Sequence, residues 1–249
     1  MRRAIILLVC LGGCGRAASD PGAEVNRLAD EYVAAFFQRS PESATRRGIP
    51  GADHGRVTDN SLEALARWRA REDAWLARVR AIDATRLEGR AERVTHGILR
   101  ELLEGSVGSR VCRQELWPLS STVTGWQASY ATLAGLQPVG TDSLRQQAVR
   151  RAGGLARYLD TEIGNLREGV RSGYTTPRVT VEAVLRQLDG LLGTAVDSSP
   201  FLSPANRDSS PAFTAELADV VGRDLYASVR RYREYLAAEY LSAARPQPG

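Results

Sequence analysis

Apolar residues recur along this chain at steps of three, four and seven, the spacing that places them on one side of a helix. The clearest run is Leu144, Ala148, Leu155, Leu159, Ile163, Leu166 and Val170. Thr141 or Asp142 offers a short side-chain oxygen to an unpaired amide at its start. Gly173 ends it, since Gly tolerates the left-handed conformation common at helix C-termini. Gly153-Gly154 interrupts the middle, and each Gly costs about 1 kcal/mol relative to Ala, so a bend or break is expected there. Pro177 suits the first turn of a second helix, where its missing N–H is no loss, with Thr176 as the cap. Val181, Val184, Leu185, Leu188, Leu191 and Leu192 form that helix's buried face. A connection this short predicts that the two helices pack nearly antiparallel on each other.

The same period predicts further helices. One covers about 24–38, with Val25, Leu28, Ala29, Tyr32, Val33, Phe36 and Phe37 on its stripe, and Ser40-Pro41-Glu42 opens a short one. Ser61 caps a helix over 62–82, where Leu65, Trp68, Trp75, Val79 and Ile82 fit a seven-residue spacing, which predicts a long antiparallel hairpin. A helix over 92–104 carries Val94, Ile98, Leu99, Leu102 and Leu103 inward, and a long one over 212–243 buries Phe213, Leu217, Val220, Val221, Leu225, Val229, Tyr232, Leu236 and Tyr240. Residues 105–140 are irregular, with a short helix around 127–134, and 48–60 and 197–211 are loops. No strand period or fixed repeat occurs. The expected fold is all-α, an antiparallel bundle or array of about six to eight helices.

The N-terminus changes the picture. Arg2 and Arg3 precede an apolar run over 4–11, too short for a span of roughly 20 residues and suited to a signal-peptide core. It leads into Leu11-Gly12-Gly13-Cys14. Small residues before a Cys let a peptidase reach the backbone, and the thiol can then take a diacylglyceryl group. Residues 1–13 are therefore expected to be a lipoprotein signal, Cys14 the lipidated residue and 14–23 a tether. Gly15, rather than Asp, after Cys14 resembles the pattern sent to the outer membrane, facing the periplasm.

Composition is that of a globular chain: 43% hydrophobic, 25% charged and +4 overall. All 33 basic residues are Arg. They interleave with acids, as in Arg67, Arg69, Arg71, Glu72 and Asp73, which is a solvated helix face rather than a phosphate-tracking patch. Nucleic acid is not an expected partner; the membrane, through Cys14, is. Once Cys10 leaves with the signal and Cys14 is acylated, Cys112 stands alone and has no disulfide partner. A lone thiol of this kind is expected to be a buried small hydrophobe.

Candidate chemistry is sparse. His54 and His96 are each followed by Gly, so neither opens the His-Glu-x-x-His spacing that holds zinc on a helix. His96 is expected to be packed, His54 solvated. No nucleophile elbow or phosphate-cradling Gly loop is present. Glu162, Glu168, Glu182 and Asp189 lie at helical spacing with Arg and are expected to form surface ion pairs. Trp68, Trp75, Tyr232, Tyr235 and Tyr240 are expected in the packing, and Arg178 could project from a helix N-terminus into a cleft. No catalytic, cofactor or metal residue is assigned.

Several segments in order resemble the bacterial family called domain of unknown function 885: Ser40 to Thr45 with Gly48, the 62–82 helix with Asp83, Gly173 with Pro177-Arg178-Val179, Val184 to Leu188, Ser199-Pro200-Phe201, and Tyr235-Leu236 through Tyr240-Leu241 to Arg245. The resemblance covers about 24–245 and implies one helical domain there. It implies an exported, mostly helical protein similar to zinc metallopeptidases, with the metal held by a His-Glu segment in a C-terminal half. No position here matches that segment. The expectation is a non-catalytic N-terminal half, truncated and inactive alone, acting on peptides only with the missing half. The alternative is a stand-alone binding or scaffold lipoprotein of the envelope.

Overall fold

The computed structural model describes residues 20–246; the expected signal segment, Cys14 and most of the expected tether lie outside them. The described chain is helical, and the helices are α1 (Pro21–Arg39), α2 (Pro41–Arg46), α3 (Leu62–Arg80), α4 (Glu92–Ser109), α5 (Trp126–Leu136), α6 (Asp142–Arg171), α7 (Arg178–Leu192), α8 (Pro211–Val220), α9 (Tyr226–Tyr235) and α10 (Leu241–Ala243). Among the described residues there is no strand, only one isolated backbone bridge between Pro177 and Arg245.

Two apolar cores organise these helices. The smaller joins α1, α3 and α4 through Leu28, Ala35, Trp75, Leu76, Val79, Leu99 and Leu103. Tyr32, Trp68 and Trp75 stack edge-on or tilted within it, with ring centroids 5.5–6.1 Å apart, a favoured aromatic geometry. The larger is built from α5 to α9, with Leu155, Leu159, Leu166, Val181, Leu188, Phe213, Val229 and Tyr232 at its centre.

Caps follow local chemistry in part. Ser61 accepts from the Ala64 N–H and Thr141 from Leu144. Asp20 caps α1, so the helix starts at Pro21, inside the segment expected to be tether. Asp20 also takes both prongs of Arg90, at 2.7 and 3.1 Å, which holds its carboxyl down to about 2. Ser40 makes no side-chain cap to α2. Thr176 does not cap α7 either. Its N–H donates to the buried Tyr240 hydroxyl at 2.8 Å.

The expected antiparallel packing of α6 on α7 gives way to another arrangement. Both helices pack mainly on α9. The corner between them is occupied by the end of the final rod: Tyr240 meets Thr176, and the Arg178 N–H donates to the Arg245 carbonyl at 2.8 Å. A local turn cannot bring its helices together when a distant element fills the angle.

That rod runs continuously over 211–243 but contains two π turns, Val221–Leu225 and Leu236–Tyr240. Its inward residues explain them. Leu217, Val221, Leu225 and Val229 recur in fours, as do Tyr232, Leu236 and Tyr240, and all are buried. At 3.6 residues per turn each step of four swings the stripe by about 40°. A wider π turn takes up the drift and keeps the stripe on the core.

α6 also departs from expectation. It passes through Gly153-Gly154 without a break. A Cβ on Gly154 would lie 3.0 Å from Val57, so this Gly admits a crossing loop rather than ending the helix. Near its end, a Cβ on Gly169 would meet the Leu116 carbonyl oxygen at 2.1 Å and that of Tyr174 at 2.7 Å. Gly169→Ala is expected to cost about 3 kcal/mol, because backbone cannot step aside. Gly164→Ala, on the same helix with open space around it, should gain about 0.5–1 kcal/mol. Denaturation midpoints moving in opposite directions would verify the pair.

Candidate functional site

The loop that crosses α6 builds the main cleft. Residues 53–60 run along α6 and are stitched to it from Gln147 to Asn165. The His54 N–H donates to Gln147 Oε1 at 2.8 Å, and Arg150 donates to Asp53 Oδ1 at 2.8 Å. Arg151 Nε donates to the Arg56 carbonyl at 3.1 Å. Asn60 Nδ2 reaches the Tyr158 carbonyl at 3.1 Å, and Asn165 Nδ2 the Asn60 carbonyl at 2.7 Å. Beside this strap lies a cleft of about 720 Å³. Thr58 and Asn60 from the strap, Arg150, Arg157 and Tyr158 from α6, and Asp224 from the first π turn supply its polar groups.

Beneath the strap is a buried polar network. Glu42 on α2 accepts from the Thr58 N–H at 2.7 Å, the Thr58 hydroxyl at 2.6 Å and the Tyr130 hydroxyl at 2.6 Å. Burial first, then the Glu42 charge, pushes the Tyr130 phenol well above its usual value. Arg151 is buried as well and also donates to Gln137 Oε1 at 2.7 Å and Thr45 Oγ1 at 2.9 Å. Burial lowers its guanidinium to about 10. Thr45 Oγ1 lies 3.0 Å from His54 Nδ1, and burial followed by the Arg151 charge pushes that imidazole down. His54 is thus half-buried and held by the network, not solvated as expected.

A second buried group sits deeper. Glu162 is sealed between α6 and α9, where the Tyr232 hydroxyl donates to it and Tyr158 adds another hydrogen bond. Its carboxyl is raised, by burial above all. The expected surface ion pair is therefore wrong for Glu162. It holds for Glu168 with Arg171 and for Asp189 with Arg233, both at the surface.

A smaller cleft of about 410 Å³ lies beside the smaller core, lined by Tyr32, Phe36 and Trp68 together with Arg39, Arg69 and Arg110. Arg69 is taken by Glu115 and Arg110 by Glu72 and Asp73, so these cations already have partners. Both clefts can hold and orient a polar ligand. Neither lining contains a His or Cys to act as base or nucleophile. Among the described residues no group of three or more His, Cys, Asp and Glu could hold a metal.

The model of a bacterial protein family of unknown function, DUF885, matches residues 41–249. The chain belongs to this family. No curated protein matches it. It is similar in fold to a solved structure described as that of a candidate lipoprotein from Colwellia psychrerythraea, with a TM-score of 0.69 and 16% identity. That match covers 89% of this chain but only 42% of the other, so the DUF885 member described here spans about two fifths of its solved relative's length.

The remaining sequence-predicted positions fall as follows. His96 is packed, with Nε2 3.1 Å from the Val79 carbonyl. Arg178 lines neither cleft. Trp68, Trp75, Tyr232, Tyr235 and Tyr240 all sit in the packing. Cys112 is exposed rather than buried, because the helix ends at Ser109 and the following tight turn carries residue 112 outward. The Cys112 thiol of the folded DUF885 protein should therefore react with a maleimide as fast as a free peptide thiol. Slow labelling that speeds up only on unfolding would contradict this placement. Sequence reasoning missed Arg151 and Glu42 altogether, although Arg151 stands three residues after Ala148 and four before Leu155, on the apolar stripe of α6 itself.

Proposed function

We propose that this DUF885 member is an exported protein tethered to the bacterial envelope by acyl chains on Cys14, facing the periplasm from the outer membrane. Its helical domain serves as the non-catalytic part of a longer metallopeptidase-like fold. The observation that supports this best is the match of 89% of the chain to 42% of a structure described as a candidate lipoprotein. On this reading the ionisable groups under the strap serve folding. Glu42, Thr58 and Tyr130 spend their hydrogen bonds largely on one another, and Arg151 bonds to Thr45, Gln137 and the loop that forms the cleft wall. Zinc and peptide chemistry belong to residues outside this domain.

The test is intact mass and metabolic labelling. The membrane-extracted protein should carry three acyl chains or a diacylglyceryl group on an N-terminal Cys14, Cys14→Ala should lose the label, and the purified chain should hydrolyse no peptide when zinc is supplied. An unacylated Cys14, or zinc-dependent turnover by this chain, would overturn the reading. The strap cleft favours a second one: a stand-alone envelope lipoprotein that binds a ligand between Arg150, Arg157 and Asp224. Saturable ligand binding by the isolated chain that Arg157→Ala abolishes would support it.

A further inference from the structure

α4 presents two apolar faces, and the structure covers one. Leu99 and Leu103 enter the smaller core with His96 beside them. Val94, Ile98 and Leu102, four residues apart, point the other way and are 67%, 57% and 51% exposed. The glycines on that side, Gly97, Gly105 and Gly108, face open space. Glu101 is the one charge along this stripe; the exposed Arg93 and Arg100 lie farther round the helix, paired with Glu88 and Glu104. An exposed helix face in water is ordinarily polar; this one is not.

The start of the chain indicates what covers it. Asp20, the first described residue, is clamped to Arg90, two positions before α4 begins. From Cys14 to Asp20 is six residues, which reach at most about 20 Å when extended. Acyl chains on Cys14 would therefore hold the near end of α4 within that distance of the lipid headgroups. α4 itself is about 27 Å long, so a small tilt lays its whole free face on the surface. A run of apolar side chains along one exposed face is what an interfacial helix needs.

We propose that the Val94–Ile98–Leu102 face of α4 docks on the bilayer that receives the Cys14 acyl chains, fixing the orientation of the domain on the membrane. The inference rests on acylation of Cys14. The experiment uses the full acylated protein in vesicles of phosphatidylethanolamine and phosphatidylglycerol, with acylation checked by intact mass. Ile98→Cys in a Cys112→Ser background carries an environment-sensitive fluorophore; Arg230→Cys, exposed on α9, is the comparison site. Quenching by bromine-labelled lipid should be several-fold stronger at position 98 than at 230, and Leu102→Asp should remove most of the difference without lowering the unfolding midpoint. Equal quenching at the two sites in acylated protein would overturn the docking and leave the anchor standing. Burial of the position-98 probe that depends on protein concentration rather than lipid would assign the face to a second copy and overturn it too. An unacylated Cys14 would remove both this inference and the anchor.

Discussion

Arg151→Met is expected to lower the unfolding free energy by about 3–5 kcal/mol, the usual penalty for deleting one member of a buried charged network. Arg151 joins three elements: the 53–60 strap through the Arg56 carbonyl, the end of α5 through Gln137, and α2 through Thr45. Removing it takes the donor from Gln137 Oε1 and the Arg56 carbonyl and removes a buried cation that acts on Glu42. A buried acceptor without a donor costs about 1–3 kcal/mol. Arg151→Lys restores charge but not the planar spread of donors, so it should recover only part of the loss. Arg157→Met, one turn and a half along the same helix but exposed, should stay within about 0.5 kcal/mol of wild type. Denaturant titrations of the three variants would measure this. An Arg151→Met loss no larger than that of Arg157→Met would mean that the strap is not held as described.

Glu162 should produce the second large effect, and one with a pH signature. Glu162→Ala takes the acceptor from the Tyr232 and Tyr158 hydroxyls and leaves a hole between α6 and α9, for a loss of about 3 kcal/mol. Burial raises the carboxyl above its ordinary value of 4.5. A group with a raised folded pKa stabilises the fold in its protonated form. That contribution is complete below pH 4.5 and is lost as pH rises through the folded value. Glu162→Gln is neutral at every pH. Its stability relative to wild type should therefore increase as pH climbs from 4.5 toward neutrality, while the exposed ion pairs common to both proteins cancel. Parallel midpoint-versus-pH curves for the two would show that Glu162 does not titrate in the folded protein's buried environment.

Both residues were visible in the sequence as exceptions to a pattern. Arg151 lies between Ala148 and Leu155 on the α6 stripe, and Glu162 between Leu159 and Leu166 at the same spacing. Each is a charge at a position whose period faces inward. Charges are seldom buried without partners, and the partners stand far off in sequence: Thr45 and Arg56 for Arg151, Tyr232 for Glu162. Nothing local distinguishes such a position from a salt-bridged surface. His54 is a comparable case. Its loop is polar and Gly-rich, and only the crossing of that loop over α6 encloses it. The exposure of Val94, Ile98 and Leu102 was equally hidden, since an apolar stripe says that a face prefers cover and not which element supplies it.

The positions of the helices, the inward face of the final rod, the Ser61 and Thr141 caps and the halt at Gly173 were determined by the sequence alone. Each depends on residues within a few positions of one another, where periodicity, capping and backbone freedom act. Tertiary structure decided the rest. The rod, not α6, became the partner of α7. Gly153-Gly154 became a crossing point rather than a break. Arg151 and Glu162 became buried, and one side of α4 was left bare. All of these turn on which distant segments meet, and the free energy of a meeting belongs to both surfaces at once, so neither segment's sequence contains it.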